Sequence, residues 1–183
     1  MDGAGFRDHD ALWSDSLDLR FVDIIRPLPP LNAWHIRLNA IDFLAFCTKQ
    51  AHIILFFDGA AKGNLGSSGA GGVVKKSDGN TIIRYAWGVG FNTSIQAEAL
   101  ALLQGLKQLN SLGICDAIVM GDSQSIIKTI VDCSSPSDLR LSRLISRIRT
   151  LMKSFQSLNF FHVKRDNNKD ADVEANKAVH LPL

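Results

Sequence analysis

Four acidic side chains, Asp58, Glu98, Asp122 and Asp172, stand at the edges of apolar runs. A charge is costly there unless something compensates it. Asp58 closes the apolar run 52–57, Glu98 opens the stretch 97–112, Asp122 follows 117–121, and Asp172 begins a last short helical stretch. Brought together, the four would form a strongly anionic pocket, stable only when divalent cations neutralise it. A ligand set of hard oxygens without His or Cys suits magnesium or manganese rather than zinc.

The elements that must position these acids can be read from periodicity. Residues 52–57 form an unbroken apolar run, as in a strand buried on both faces. A glycine-rich turn is expected next, carrying Gly59, Gly63, Gly66 and Gly69. Residues 71–75 and 81–90 then read as two strands joined by Ser77-Asp78-Gly79-Asn80, a hairpin signal. Thr93 and Gln96 fit a capping box at a helix start, and Ala99, Leu102, Leu103, Leu106 and Leu109 give that helix its apolar stripe, with Gly113 beyond its end. Residues 117–121 read as a buried strand, 123–131 as a short helix and 138–155 as a long amphipathic helix. Residues 158–163 read as a last strand and 168–179 as a last helix.

The order β-β-β-α-β-α-α-β-α predicts an α/β domain: three antiparallel strands, then strands reached by helical crossovers, in a mixed sheet layered by helices. Right-handed crossovers would set the 117–121 strand beside the 52–57 strand, making Asp58 and Asp122 neighbours.

At 183 residues the chain accommodates one domain, expected over 52–180, plus a flanking segment. The net charge of +2 does not by itself announce a nucleic-acid partner. Arg140, Arg143, Arg147, Arg149 and Lys153 nevertheless crowd one helix, which by itself reads as a solvated face. Cys47, Cys115 and Cys133 lack metal-ligand or C-x-x-C spacing, as expected of reduced thiols in an intracellular protein. The stretch 41–57 is broken by Lys49, Gln50 and His52, so no membrane span and no membrane partner are expected. The N-terminus lacks the pattern of a secretory signal.

Set in this order, the motifs resemble the type 1 ribonuclease H family. The segment 58–72, with Asp58-Gly-Ala-Ala-Lys-Gly-Asn64, resembles the family's D-G-x-x-x-G-N signature. Ala97-Glu98-Ala99-Leu100 resembles its A-E-x-x-A-L helix start, Gly121-Asp122-Ser123 its D-S step, and Asn168-Lys-Asp-Ala-Asp172 its N-x-x-A-D ending. Each motif alone is weak; four in order on the right elements are specific. His162 to Asp172 is most similar to the plant-type branch found in retrotransposon-derived proteins.

The resemblance implies an RNase H-like three-layer α/β/α fold with a five-stranded mixed sheet. It also implies a monomeric, metal-dependent endonuclease that hydrolyses the RNA strand of RNA/DNA hybrids with two Mg2+ ions, Mn2+ being an alternative. Asp58 would bridge both ions, with Glu98 and Asp122 on the leaving-group side and Asp172 on the side of the attacking water. Gly59, Asn64, Thr93, Ser94, Ser123 and Asn168 would contact substrate. Asp170 competes with Asp172 for the last acidic position, and the register of Asn168 and Ala171 favours Asp172. His162 and Arg165 are auxiliary candidates. Ser123 has a second reading as a helix cap, and the glycines have one as ordinary turn residues.

The chain departs from the family pattern in three places. Ser94 and Ile95 replace amide side chains before the A-x-E step, the 133–138 link carries no basic handle, and residues 40–56 separate Pro29-Pro30…Trp34…Asn39 from Phe57-Asp58-Gly59. The last suggests an insertion, from a retained intron or an altered gene model. The leader, residues 1–50, is expected to be poorly ordered apart from an edge strand near 34–38. Two further readings remain open on the sequence: a catalytically weak or inactive nucleic-acid-binding module, and a different nuclease or integrase on the same superfold.

Overall fold

The structure, a computed structural model, describes residues 22–26, 34–38, 53–63 and 65–182. Two short strands, β1 (Val22–Arg26) and β2 (Trp34–Leu38), pair antiparallel as a separate two-stranded sheet. The expected strand at 34–38 therefore exists, but it is not an edge of the main sheet. The central slot goes to β3 (Ile53–Ala61), followed by β4 (Gly66–Lys76) and β5 (Thr81–Asn92) in an antiparallel meander. Helix α1 (Ser94–Ser111) leads to β6 (Asp116–Gly121). Helices α2 (Gln124–Val131) and α3 (Leu139–Met152) lead to β7 (Ser157–His162), and α4 (Lys169–Ala178) follows. The sheet order is β5-β4-β3-β6-β7, with β6 and β7 parallel to β3. This is the expected five-stranded mixed sheet. The parallel register Ile54↔Ile118, Leu55↔Val119, Phe56↔Met120 places Asp58 and Asp122 at the same end of adjacent strands.

The packing follows from strand alternation. Leu55 and Phe57 join Leu102, Leu106, Ile126 and Ile145 in one core on the α1–α3 side. Phe56 faces the opposite way, where the Lys75 ammonium lies 5.9 Å from its ring centre and pairs with Asp170 of α4. Each large apolar side chain so buried contributes about 1.5–3 kcal/mol. Residues 54–58 of β3 are all buried, as an apolar run flanked by helices on both faces must be.

The glycine-rich segment corrects the sequence reading. Gly59 belongs to β3, and Gly66 and Gly69 belong to β4, so the turn shrinks to the residues between Ala61 and Gly66. The β3–β4 pairing Asp58↔Gly71, Gly59↔Ala70, Ala60↔Gly69 draws Gly59 and Gly69 into the sheet, and the β4–β5 pairing Gly66↔Asn92 draws in Gly66. At Gly71 a Cβ would come within 2.1 Å of the Ala175 backbone nitrogen, so the missing side chain lets α4 rest directly on the strand.

Helix α1 starts as expected. The Thr93 side chain accepts from the Gln96 N–H and the Gln96 side chain accepts from the Thr93 N–H, completing a capping box. Gln96 goes further: its amide donates to Asp138 at 3.2 Å, and Asp138 caps α3 by accepting from the Leu141 N–H. One buried side chain thus ties the starts of two helices that lie 42 residues apart in sequence. That separation leaves no local signal. Among the described residues, no helix is long and apolar enough to cross a membrane.

Candidate active site

The site lies at the ends of β3 and β6, where the neighbouring helix starts converge. Asp58 is 7% exposed and accepts a 2.8 Å hydrogen bond from the Gly59 N–H. Burial, then the charges of Asp122, Asp172 and Glu98, push its carboxyl up to about 8, against the opposing Gly59 hydrogen bond. Burial also lifts Glu98, on α1, to about 6; a Ser123 hydroxyl bond opposes this and Asp122 adds to it. Asp58 therefore feels all three other acids, and the four expected carboxylates share one region. Among the described residues they do not form a ready-made cage of three or more metal-binding side chains.

Asp122 is held from two sides. The buried Asn168 amide donates to the Asp122 carboxylate at 3.0 Å and to the Phe57 carbonyl at 2.9 Å. The His162 ring meets the Asp122 backbone carbonyl through Nε2 at 3.1 Å; because a carbonyl only accepts, Nε2 carries the proton. Asn168 was expected to contact substrate. At 1% exposure it is instead a positioning residue that pins Asp122 to the end of β3. His162, an auxiliary candidate, here secures the backbone of the same residue. Asn168→Ala is expected to lower activity about 10–100-fold, the usual cost of losing a group that orients a ligand. Steady-state kinetics beside a denaturant melt would check this, and full activity in a folded variant would contradict it.

Asp172 sits in the first turn of α4, where a helix start favours a carboxylate. Its side chain accepts a 2.6 Å bond from Arg165, itself largely exposed. The rival Asp170 points elsewhere: it pairs with Lys75 and with Arg84 at 3.6 Å. Burial opposes, but these cations hold the Asp170 carboxyl below the usual range. The pairing turns Asp170 toward Lys75 and Arg84, whereas the charge of Asp172 acts on Asp58.

The remaining expected contacts divide. Ser123 makes no capping hydrogen bond to α2; its hydroxyl lies 3.3 Å from that of Ser125 and close enough to Glu98 to favour its ionised form. Thr93 spends its hydroxyl on the α1 cap, whereas Ser94 is exposed beside it. Asn64 lies outside the described residues. Gly59 has a packing role, since a Cβ there would fall 2.1 Å from the Glu98 backbone nitrogen. Gly59→Ala would push α1 and its Glu98 away from β3. A loss of about 1–3 kcal/mol is expected in urea melts, the usual cost of overpacking; an unchanged midpoint would contradict this contact.

Comparison with known proteins places this arrangement. The sequence model of the family described as Reverse transcriptase-like matches residues 56–178. Ribonuclease HI of Halobacterium salinarum is 34% identical over 131 residues, covering 72% of this chain and 66% of that protein. The chain belongs to the type 1 ribonuclease H family. Its fold matches the crystal structure of RNase H1 from the halophilic archaeon H. salinarum with a TM-score of 0.67 at 32% identity, covering 70% of this chain and 98% of the other. It also matches LC11-RNase H1 in complex with RNA/DNA hybrid, with a TM-score of 0.66 at 29% identity over 69% of this chain and 96% of that one. A bifunctional protein of Mycobacterium tuberculosis is 29% identical over 128 residues, 69% of this chain and 35% of its own length. The chain thus spans just under two thirds of the haloarchaeal ribonuclease and about a third of the mycobacterial protein. In this family frame the central strand slot is filled by residues 53–61, with 34–38 set apart in its own hairpin.

Proposed function

We propose that the protein hydrolyses the RNA strand of RNA/DNA hybrids with divalent cations, Mg2+ or Mn2+, held by Asp58, Glu98, Asp122 and Asp172. The observation that carries this reading is the mutual electrostatic contact of Asp58 with the other three acids in a ribonuclease H fold. A buried carboxyl at Asp58, its proton affinity raised by three neighbouring acids, marks a site short of positive charge, and hard carboxylate oxygens fit such cations. When bound there, such cations would supply an activated water and neutralise charge on the departing oxygen.

The chain's own residues do the positioning. Asn168 and His162 fix Asp122, Gly59 seats Glu98 against the strand end, and the Ser123 hydroxyl favours the ionised Glu98 carboxylate. Selection of RNA rests on its 2′-hydroxyls, met at the exposed start of α1 around Ser94 and beside Gly63. The solved complex of a family relative with RNA/DNA hybrid supports this substrate class.

One observation favours a second reading, a hybrid-binding module with weak turnover: the Arg165 guanidinium already occupies an Asp172 oxygen. Incubation of labelled hybrid, single-stranded RNA and duplex DNA with magnesium separates the readings. Cutting confined to the hybrid supports the hydrolase. Hybrid binding without cutting supports the module, and cutting of duplex DNA overturns both.

A further inference from the structure

Helix α3 carries a second, cation-lined feature that the acidic site does not use. One of its faces, together with the 132–138 link, encloses an open pocket of about 430 Å³. The helix contributes Ser142, Ile145, Ser146, Arg149 and Thr150, its cap residue Lys153 extends that wall, and the link adds Ser135 and Pro136. No Asp or Glu lines it. Among the described residues neither Arg149 nor Lys153 has a carboxylate within ion-pair distance.

Arg149 is held in place before any ligand arrives. Its Nη2 donates to the Thr129 carbonyl at 2.9 Å and to the Ser134 carbonyl at 2.6 Å, latching the link onto α3. Those two bonds account for both Nη2 hydrogens. Among the described residues, the buried Nε–H has no acceptor and Nη1 makes no hydrogen bond. A buried guanidinium donor without a partner is uncommon in folded proteins. Among the same residues the hydroxyls of Ser142 and Ser146 have no hydrogen-bond partner, whereas Thr150 is engaged with the Ser146 carbonyl at 3.0 Å.

A fixed guanidinium, an unpaired ammonium and free hydroxyls around one concavity match the acceptors of a tetrahedral oxyanion. We propose that this pocket is a phosphate-binding site. It is distinct from the acidic cluster, because Asp138 anchors the start of α3 near the start of α1 and Arg149 lies eleven residues further on, about 16 Å along the helix axis. The phosphate would belong either to the backbone of a nucleic-acid strand engaged at the acidic site or to a mobile phosphorylated molecule.

The test begins with inorganic phosphate and is independent of cleavage. In a chelator, at constant ionic strength, phosphate in place of chloride is expected to raise the melting temperature of the full chain. Lys153→Met is expected to weaken the apparent phosphate affinity roughly tenfold, as loss of one charge-assisted contact does. Ser146→Asp, which sets a carboxylate in the pocket without disturbing the Arg149 latch, is expected to abolish the shift. No shift in the wild type, or a shift that survives both variants, overturns the proposal. The source of the phosphate follows from hybrid binding measured against salt. A slope shallower by about one in Lys153→Met assigns the site to a backbone phosphate. An unchanged slope beside a lost phosphate shift assigns it to a mobile phosphorylated ligand.

Discussion

Asp58→Asn is expected to abolish hybrid cleavage, lowering the rate at least about a thousandfold while leaving the fold intact. Several kcal/mol of transition-state stabilisation depend on correctly held divalent cations, and each 1.4 kcal/mol is about tenfold in rate. Asp58 is the acid that senses the other three, so its loss removes the charge around which the cluster is organised. The amide is isosteric and still accepts from the Gly59 N–H, so the strand end has no reason to rearrange. Asp122→Asn is expected to act alike, since Asn168 would keep a hydrogen-bonding partner there. Single-turnover cleavage of a labelled hybrid, with hybrid binding measured in parallel, reads the effect. Retention of more than roughly a tenth of the wild-type rate would remove Asp58 from the reaction.

The metal-free protein is expected to lose stability on the order of a few kcal/mol as pH rises from about 4 to about 8. The sign follows from linkage. The folded state holds the Asp58 proton up to about 8, whereas the unfolded chain releases it near 3.8. Below 3.8 both states are protonated and no penalty exists. Through the interval the unfolded state is favoured by its earlier ionisation, and the loss is complete once the folded carboxyl ionises. Glu98, lifted to about 6, acts in the same direction. Saturating magnesium is expected to reverse the loss, because a ligand that binds only the folded, ionised cluster stabilises it by mass action. Urea melts across this pH range, with chelator and with magnesium, measure both arms. In Asp58→Asn most of the pH slope should vanish. A wild-type stability that is flat over the interval would mean that the carboxylates are not packed against one another.

Much of this arrangement was legible before any coordinates. The unbroken apolar run before Asp58 required a strand buried on both faces, and β3 is one. The Thr93–Gln96 capping box set the start of α1, and the amphipathic pattern over 138–155 set the core face of α3. Chirality of the crossovers then made Asp58 and Asp122 neighbours, as the parallel β3–β6 pairing bears out. These features were readable because each depends on periodicity or on steric rules acting over a few residues.

What lay beyond reading was decided by contacts between residues distant in the chain. Gly59, Gly66 and Gly69 carry turn chemistry in isolation, yet long strand pairing draws all three into the sheet, with helices resting on the backbones of Gly59 and Gly69. Asn168 has the composition of a substrate contact and became a buried strut for Asp122, 46 residues away. Asp170 and Asp172 differ little in sequence; Lys75 and Arg84, brought over by β4 and β5, separate their roles. By itself the chain specified which elements form and which acids stand at their ends, because local sterics and hydrophobic period determine both. The raised proton affinity of Asp58 and Glu98, the partners of each acid and the cation-lined pocket on α3 emerged only with tertiary packing, since burial and charge–charge proximity do not exist until the layers close.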